Sequence, residues 1–193
     1  MKILDEFINN CCEDETEKEV VRFGIDRIKV LIIGLLITCL VGIILGEFLR
    51  TVLFLICILP LRQNAGGFHL KSRWTCLVCS SGVLISSALI LKYVKINETG
   101  ALFVIILDAL VLFAVAPVGN CNRILDEIEK KVYRQRTRFI CGVETLVFLL
   151  LFMNGKSEWY EIFWLSETIT GTLVVVGKVQ EARCGREQIK CTE

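Results

Sequence analysis

The chain has 193 residues, 54% of them hydrophobic, with 22 Lys and Arg against 21 Asp and Glu, and its mean hydropathy is +0.61. This excludes an ordinary soluble domain, which keeps a large polar surface at this size, and points to a membrane. The net charge of +1 says little by itself, because equal totals can hide an unequal distribution along the chain.

The first twenty residues, MKILDEFINNCCEDETEKEV, are acidic and punctuated. A cleavable signal needs a basic start and an unbroken apolar stretch, so the N-terminus is expected to stay on the protein. Ile3, Leu4, Phe7, Ile8, Cys11 and Cys12 follow helical spacing and predict an amphipathic cytoplasmic helix within residues 1–24. Its acidity fits docking on the protein's own inner face or on a partner as well as it fits lipid, and a plain cytoplasmic helix is the third reading.

Apolar runs long enough to cross a hydrocarbon core of about 30 Å then recur, with only isolated charges inside them. The expected spans are 28–46, 48–61, 74–94, 101–118, 139–153 and 162–177. With only two prolines in the chain, these runs read as helices. Residues 28–61 are many for one crossing and few for two, and a tight hairpin around Glu47 to Arg50 is preferred over one long tilted helix. The fold class is therefore all-α, a polytopic integral membrane protein of about six transmembrane helices plus the N-terminal amphipathic helix. It is read as a single membrane domain over 1–193, with a bundle over 28–177 and a cytoplasmic tail over 178–193.

Charge gives the orientation. With the N-terminus inside, 18 of the 22 basic residues fall in inner segments, and only Arg50, Lys92, Lys95 and Lys156 fall outside. The positive-inside rule selects this arrangement, with both termini and the 62–76 loop cytoplasmic. Cysteine placement agrees. Of the ten cysteines, Cys11, Cys12, Cys121, Cys184 and Cys191 fall in inner segments and the rest within or at the ends of spans, so free thiols are expected rather than bridges.

The loop RQNAGGFHLKSRWTC, residues 62–76, holds the chain's one histidine, two residues after a diglycine and seven before a cysteine. Cysteine attacks as the thiolate, and an imidazole can take its proton, so His69 and Cys76 form a minimal kit for nucleophilic attack on an amide. On one continuous helix the two would sit about 10 Å apart along the axis, beyond a hydrogen-bond reach of roughly 3 Å. The chain must bend between them. Gly66 and Gly67 allow unusual backbone angles, and Ser72 reads as the N-cap of a helix starting at Arg73. Cys76 then falls in the first turn, where the helix dipole, Lys71 and Arg73 favour a thiolate and unpaired amides can hold an oxyanion. The pair is also compatible with an inert cysteine at a helix end and a solvated histidine. Cys76 and Cys79 make a CxxC that suits redox or metal chemistry, although a tetrahedral zinc site needs two further ligands.

Arg62, Gly66, Gly67, His69 and Cys76, at these spacings and at the junction of two apolar segments, resemble the signature of the AgrB family, the membrane cysteine endopeptidases of bacterial accessory gene regulator quorum sensing. APVGNCNRIL at 116–125 is similar to that family's second conserved stretch, with Ile124 where many relatives carry proline. Length, spans and leading helix also match, so the resemblance covers nearly the whole chain.

It implies an enzyme that cleaves the C-terminal part off an AgrD-type precursor peptide through an acyl-thioester, which the peptide's own cysteine or serine attacks to close a thiolactone or lactone ring. Cys76 would be the nucleophile and His69 the general base. Arg62, Gly66 and Gly67 would support them. Arg73, Arg123, Lys130 and Lys131 would meet the precursor's acidic end, although inner loops are basic for topology alone. The implied setting is the bacterial cell membrane, with lipid and precursor as partners and a homodimer compatible with the family. No metal, cofactor or nucleic acid is expected.

Asp108 and Glu144 lie inside spans, where a carboxyl group is costly unless it faces the bundle interior or water. Structural pairing suits Asp108, which lies deep. Glu144 is nearer the inner face, where orienting His69 is conceivable. Two other functions stand beside the peptidase: a thiol oxidoreductase using Cys76 and Cys79, which the reducing inner side disfavours, and a non-enzymatic transporter or scaffold with Asp108 and Glu144 along a pathway.

Overall fold

A computed structural model describes residues 15–67, 73–119 and 126–190, with side chains placed for all of these except 15, 16, 19, 23, 26, 27, 73, 74, 76 and 184–190. Six helices account for nearly all of it: α1 (Glu15–Leu45), α2 (Phe48–Ala65), α3 (Arg73–Tyr93), α4 (Glu98–Val115), α5 (Glu127–Met153) and α6 (Ser157–Lys190). No β-strand occurs among the described residues; a single isolated parallel bridge joins Gly66 to Val118.

Each expected span falls mainly on one helix, three of them overrunning its end by one to three residues. Four windows are long and apolar enough to cross a membrane: Ile28–Leu45, Phe48–Ala65, Glu98–Val115 and Ser157–Arg183; Leu77–Tyr93 is a shorter apolar helix. Helix α5 is apolar only in its second half, because Lys130, Lys131, Arg134, Arg136 and Arg138 occupy the first.

Several boundaries differ from the sequence reading for local reasons. Residues 15–24 run without a break into the first span as part of α1, while the apolar stripe from Ile3 to Cys12 lies outside the described residues. Helix α2 passes through Pro60 and ends at Ala65 rather than 61. Pro60 has no amide hydrogen to donate, and the Asn64 side chain donates to its carbonyl at 2.7 Å. Helix α4 stops at Val115, short of 118. A residue before proline is driven from helical to extended backbone, and Ala116, preceding Pro117, sits at φ −72°, ψ 148°. The expected tail from 178 continues the last helix as far as Lys190.

The hairpin between the first two spans is present. Gly46 takes φ +73°, a conformation that costs other residues more, and the Glu47 amide donates to the Gly42 carbonyl at 2.9 Å. Arg50 is not in the turn. It lies in the first turn of α2 and reaches Glu47 at 3.1 Å and Glu161 of α6 at 2.7 Å, with Lys95 3.8 Å from the same Glu161 oxygen. Lys92 donates to the Leu45 carbonyl at 2.7 Å. The α1–α2, α3–α4 and α5–α6 connections are thereby gathered at one end of the bundle, and residues 66–67 after α2 and 116–119 after α4 lie together at the other.

Helix α6 packs against α2, α4 and α5, and α1 packs against α2 and α3. Three buried clusters follow the bundle from end to end. Leu61, Ala65, Leu112, Ala116, Val118, Cys141 and Val174 close the diglycine end. Phe54, Leu55, Ile58, Leu91, Ile162 and Leu165 form a second cluster reaching from the middle toward the Arg50 end, and Phe148 and Tyr160 meet edge-on at 5.2 Å in a third. The outer surface is apolar too, with Leu36, Ile44, Phe103 and Leu110 all more than 60% exposed. In water such a surface would aggregate; in lipid it is the ordinary exterior. Helix association there rests on close packing and interhelical hydrogen bonds rather than on escape from water.

Several hydroxyl groups in the spans are satisfied within their own helix. Thr38, Ser81, Ser87 and Thr137 each donate to the carbonyl four residues back, at 2.6 to 2.9 Å, so they add few open polar groups where water is absent.

Candidate active site

The site is built at the end of α2. Its last turn carries Arg62, and Gly66 and Gly67 follow with φ of +71° and +111°, the left-handed region that favours glycine. The unusual backbone angles expected of this diglycine are present at both residues. Two constraints make both positions glycine. A Cβ on Gly66 would overlap the Val118 carbonyl oxygen, and one on Gly67 would lie 2.7 Å from the Leu173 carbonyl oxygen and 2.8 Å from Arg62 Nη1.

The extended stretch after α4 lies directly against the diglycine. Val118 donates its amide to the Ala65 carbonyl at 3.0 Å, and Gly67 donates its amide to the Val118 carbonyl at 3.4 Å. Arg62 Nη1 donates to the Gly66 carbonyl, so a cation at the helix end takes up a carbonyl the helix leaves open. Val118 and Ala116 are buried. Thus the two stretches singled out in the sequence, 62–67 and 116–119, form one backbone unit wedged against α6.

Helix α3 restarts the chain at Arg73, the start read from Ser72 as its cap. Position 76 is the fourth residue of α3, in its first turn, as expected; the side chains of Arg73 and Cys76 are not among those placed. His69, Lys71, Ser72 and Arg123 lie outside the described residues. Of the named site residues, the structure brings Arg62, Gly66 and Gly67 together, and leaves Lys130 and Lys131 apart on the exposed first turns of α5. Lys130 is paired with Glu127 at 2.8 Å, and this hydrogen bond and charge hold the Glu127 carboxyl below its usual range. Asp126 and Glu129 form a capping box at that helix start. Arg138 donates to the Phe113 carbonyl at 3.0 Å and lies 5.7 Å from the Phe113 ring centre, so one member of the basic cluster caps α4.

Two depressions flank the last turn of α2. One, of about 180 Å³, is an apolar groove between α1, α2 and α3, with Leu59 and Arg62 on one wall and Cys79, Ser80 and Val83 on another. The other is a more polar cleft between α2 and α5, lined by Asn64, Gln135 and Arg136 among others. Cys39, Cys57, Cys79 and Cys141 are free thiols, in line with the expectation for those four. Among the described residues no group of three or more His, Cys, Asp or Glu is placed to hold a metal ion.

The carboxyl groups within the spans face the interior. Asp108 accepts from Thr168 Oγ1 at 2.5 Å, the structural pairing its depth suggested. Glu144 is buried in the bundle. Its neighbour Thr145 donates to Glu167 at 2.9 Å. Glu167, fully buried on α6, was missed in the sequence, although an acidic residue inside an expected span was the available signal. Val118 and Leu173 were missed too. They act through backbone carbonyls, which leave no mark in side-chain chemistry.

Fold and site together define a polytopic all-α membrane protein with a motif-bearing loop anchored at one end of its bundle. Residues 1–175 match the family model for accessory gene regulator B. The chain belongs to the AgrB family, and its role lies in accessory gene regulator peptide processing. It is 23% identical over 139 residues to AgrB-like protein 1 of Clostridium perfringens (strain 13 / Type A), an alignment covering 70% of this chain and 69% of that one. No solved structure matches it.

Proposed function

We propose that this chain is a membrane-embedded cysteine endopeptidase that cuts an AgrD-type precursor on the cytoplasmic side of the bacterial membrane, with Cys76 as nucleophile and His69 as general base. The observation that carries this reading is the anchored diglycine. Gly66 and Gly67 are pinned by Val118, Leu173 and Arg62, two residues before His69 and at the end of the bundle where α3 presents its first turn. A rigid mount immediately before the base limits where the base can go, which is what positioning catalysis needs.

His69 takes the Cys76 thiol proton, and the thiolate adds to the scissile carbonyl. Amide hydrogens at the start of α3 are suited to the developing oxyanion. Collapse of the adduct breaks the C–N bond, and His69 returns its proton to the departing amine. The acyl group remains on Cys76 as a thioester. A thiol or hydroxyl within the retained peptide then adds to that thioester, loses its proton to His69 and expels the Cys76 sulfur, closing the ring. Exchange of an amide for a thioester is uphill in water, whereas thioester to thiolactone is nearly balanced, so the peptide must be held and water kept away. A site at the membrane face meets both needs.

The basic first half of α5 and Arg136 in the adjoining cleft suit an acidic leaving segment, with Lys130, Lys131, Arg73 and Arg123 as its contacts. The test is co-expression of a precursor with Cys76→Ala and His69→Ala variants. Both should accumulate uncut precursor while reaching the membrane at normal levels. Normal cleavage by either variant would refute the assignment.

A further inference from the structure

The apolar groove between α1, α2 and α3 is not used by the chemistry above. Its walls are aliphatic, with Val30 and Leu31 from α1, Leu59 from α2 and Val83 from α3, and among the described residues its one charged lining residue is Arg62. Arg62 also donates to the Gly66 carbonyl, so this end of the groove is continuous with the anchored diglycine. Along α3, Cys79 and Ser80 lie three and four positions after 76, on the same helical face. That offset is about 4.5 to 6 Å at the helical rise, the distance an extended peptide covers in one or two residues. An aliphatic cavity of roughly 150 Å³ takes up a benzene-sized group, and this one has a volume of about 180 Å³. Room, chemistry and distance therefore agree on a single large apolar side chain close to the bond being cut.

We propose that this groove is the subsite for a large apolar side chain of the precursor, carried by one of the two residues just before the scissile bond. The inference rests on the assignment of Cys76 as nucleophile. The retained acyl half has to stay out of water until the ring closes, whereas the leaving half departs into water, so an apolar recess continuous with the nucleophile's helix face suits the former. Val83 and Ser80 set its depth, making them specificity-determining positions.

The probe is a synthetic AgrD-type precursor that the wild-type protein cuts, prepared with Leu, Ala or Asp at the two positions preceding the scissile bond. Wild-type protein in lipid nanodiscs should cut the Leu form at least about tenfold more efficiently than the Ala form, the discrimination expected of an apolar pocket, and should reject the Asp form. Val83→Phe, which fills the groove, should reverse the preference toward Ala. In Cys76→Ala protein, the Leu form should shield Cys79 from N-ethylmaleimide, read by mass spectrometry, and the Asp form should not.

An unchanged Leu/Ala ratio in Val83→Phe, with cleavage still dependent on Cys76, overturns the groove assignment alone. Equal shielding of Cys79 with and without peptide also overturns it, because a lipid chain then holds the groove. Cleavage that persists in Cys76→Ala removes the proposed function and this inference with it.

Discussion

Gly66 and Val118, 52 positions apart in the chain, are paired backbone to backbone at the end of the bundle. The stretch before His69 and the stretch after α4 are therefore one structural unit, and disturbing either should disturb the other.

The first prediction follows from that pairing. Gly66→Ala puts a methyl group into the Val118 carbonyl and forces an L-residue to φ +71°. Left-handed backbone and overlap together should lower stability by about 1–3 kcal/mol and abolish processing. Thermal unfolding in detergent and precursor cleavage would check this; a variant of wild-type stability and activity would show that the pairing does not matter. Gly82→Ala, where a Cβ meets nothing within 4 Å, is the control.

Arg62 offers a separate lever. Replacing it by Met keeps most of the apolar stem but removes the donor to the Gly66 carbonyl. A hydrogen bond from a charged group is worth about 1.5–3 kcal/mol, so the Arg62→Met protein should unfold earlier and process precursor roughly tenfold more slowly. Arg62→Lys keeps the charge and a donor for this single contact and should recover part of the loss.

The opposite end holds a buried ion pair. Arg50 and Glu161 meet at 2.7 Å, with side chains only 9% and 6% exposed. Removing Glu161 leaves the buried Arg50 with only the Glu47 carboxylate, at 3.1 Å, at a cost approaching that of breaking a buried pair, about 3–5 kcal/mol. Glu161→Gln should therefore lower the melting temperature sharply, and the double variant Arg50→Met, Glu161→Met should recover much of the loss. Additive losses in the double variant would mean the two residues act independently.

Much of this architecture is legible from local signals. The hydrophobic runs mark all six helices and Ser72 precedes the start of α3 at Arg73, whereas the expected turn at Glu47 to Arg50 and the expected span to 118 pass over the signals that Gly46 and Pro117 offer. What could not be read is set by partners distant in sequence. Arg50 reads as a turn residue until Glu161, 111 positions on, draws it into the bundle. The role of Val118 depends on a carbonyl, which every residue has. Glu167 is itself legible as an acidic residue inside an expected span, but its partner is not, since only the packing of α5 on α6 shows that Thr145 is its donor.

That buried carboxyl leads to another prediction. Glu167→Gln retains an oxygen to accept from Thr145 while removing an ionisable group from a site where burial is costly. The variant should be as stable as the wild type or more so, by thermal unfolding, and Glu167→Leu, which strands the Thr145 hydroxyl's interhelical contact, should be less stable than Glu167→Gln. If Glu167→Gln unfolds well before the wild type, the carboxylate itself holds α5 to α6.

The central claim is covalent, and the most direct measurement is the mass of the peptide fragment carrying Cys76. Purified protein is mixed with precursor, quenched in acid within one turnover and digested. The account predicts a fragment heavier by the retained half of the precursor, sensitive to hydroxylamine as a thioester is, and lost in Cys76→Ala. Rapid cleavage with Cys76 unmodified throughout, or an equal adduct on another cysteine in Cys76→Ala protein, would contradict it.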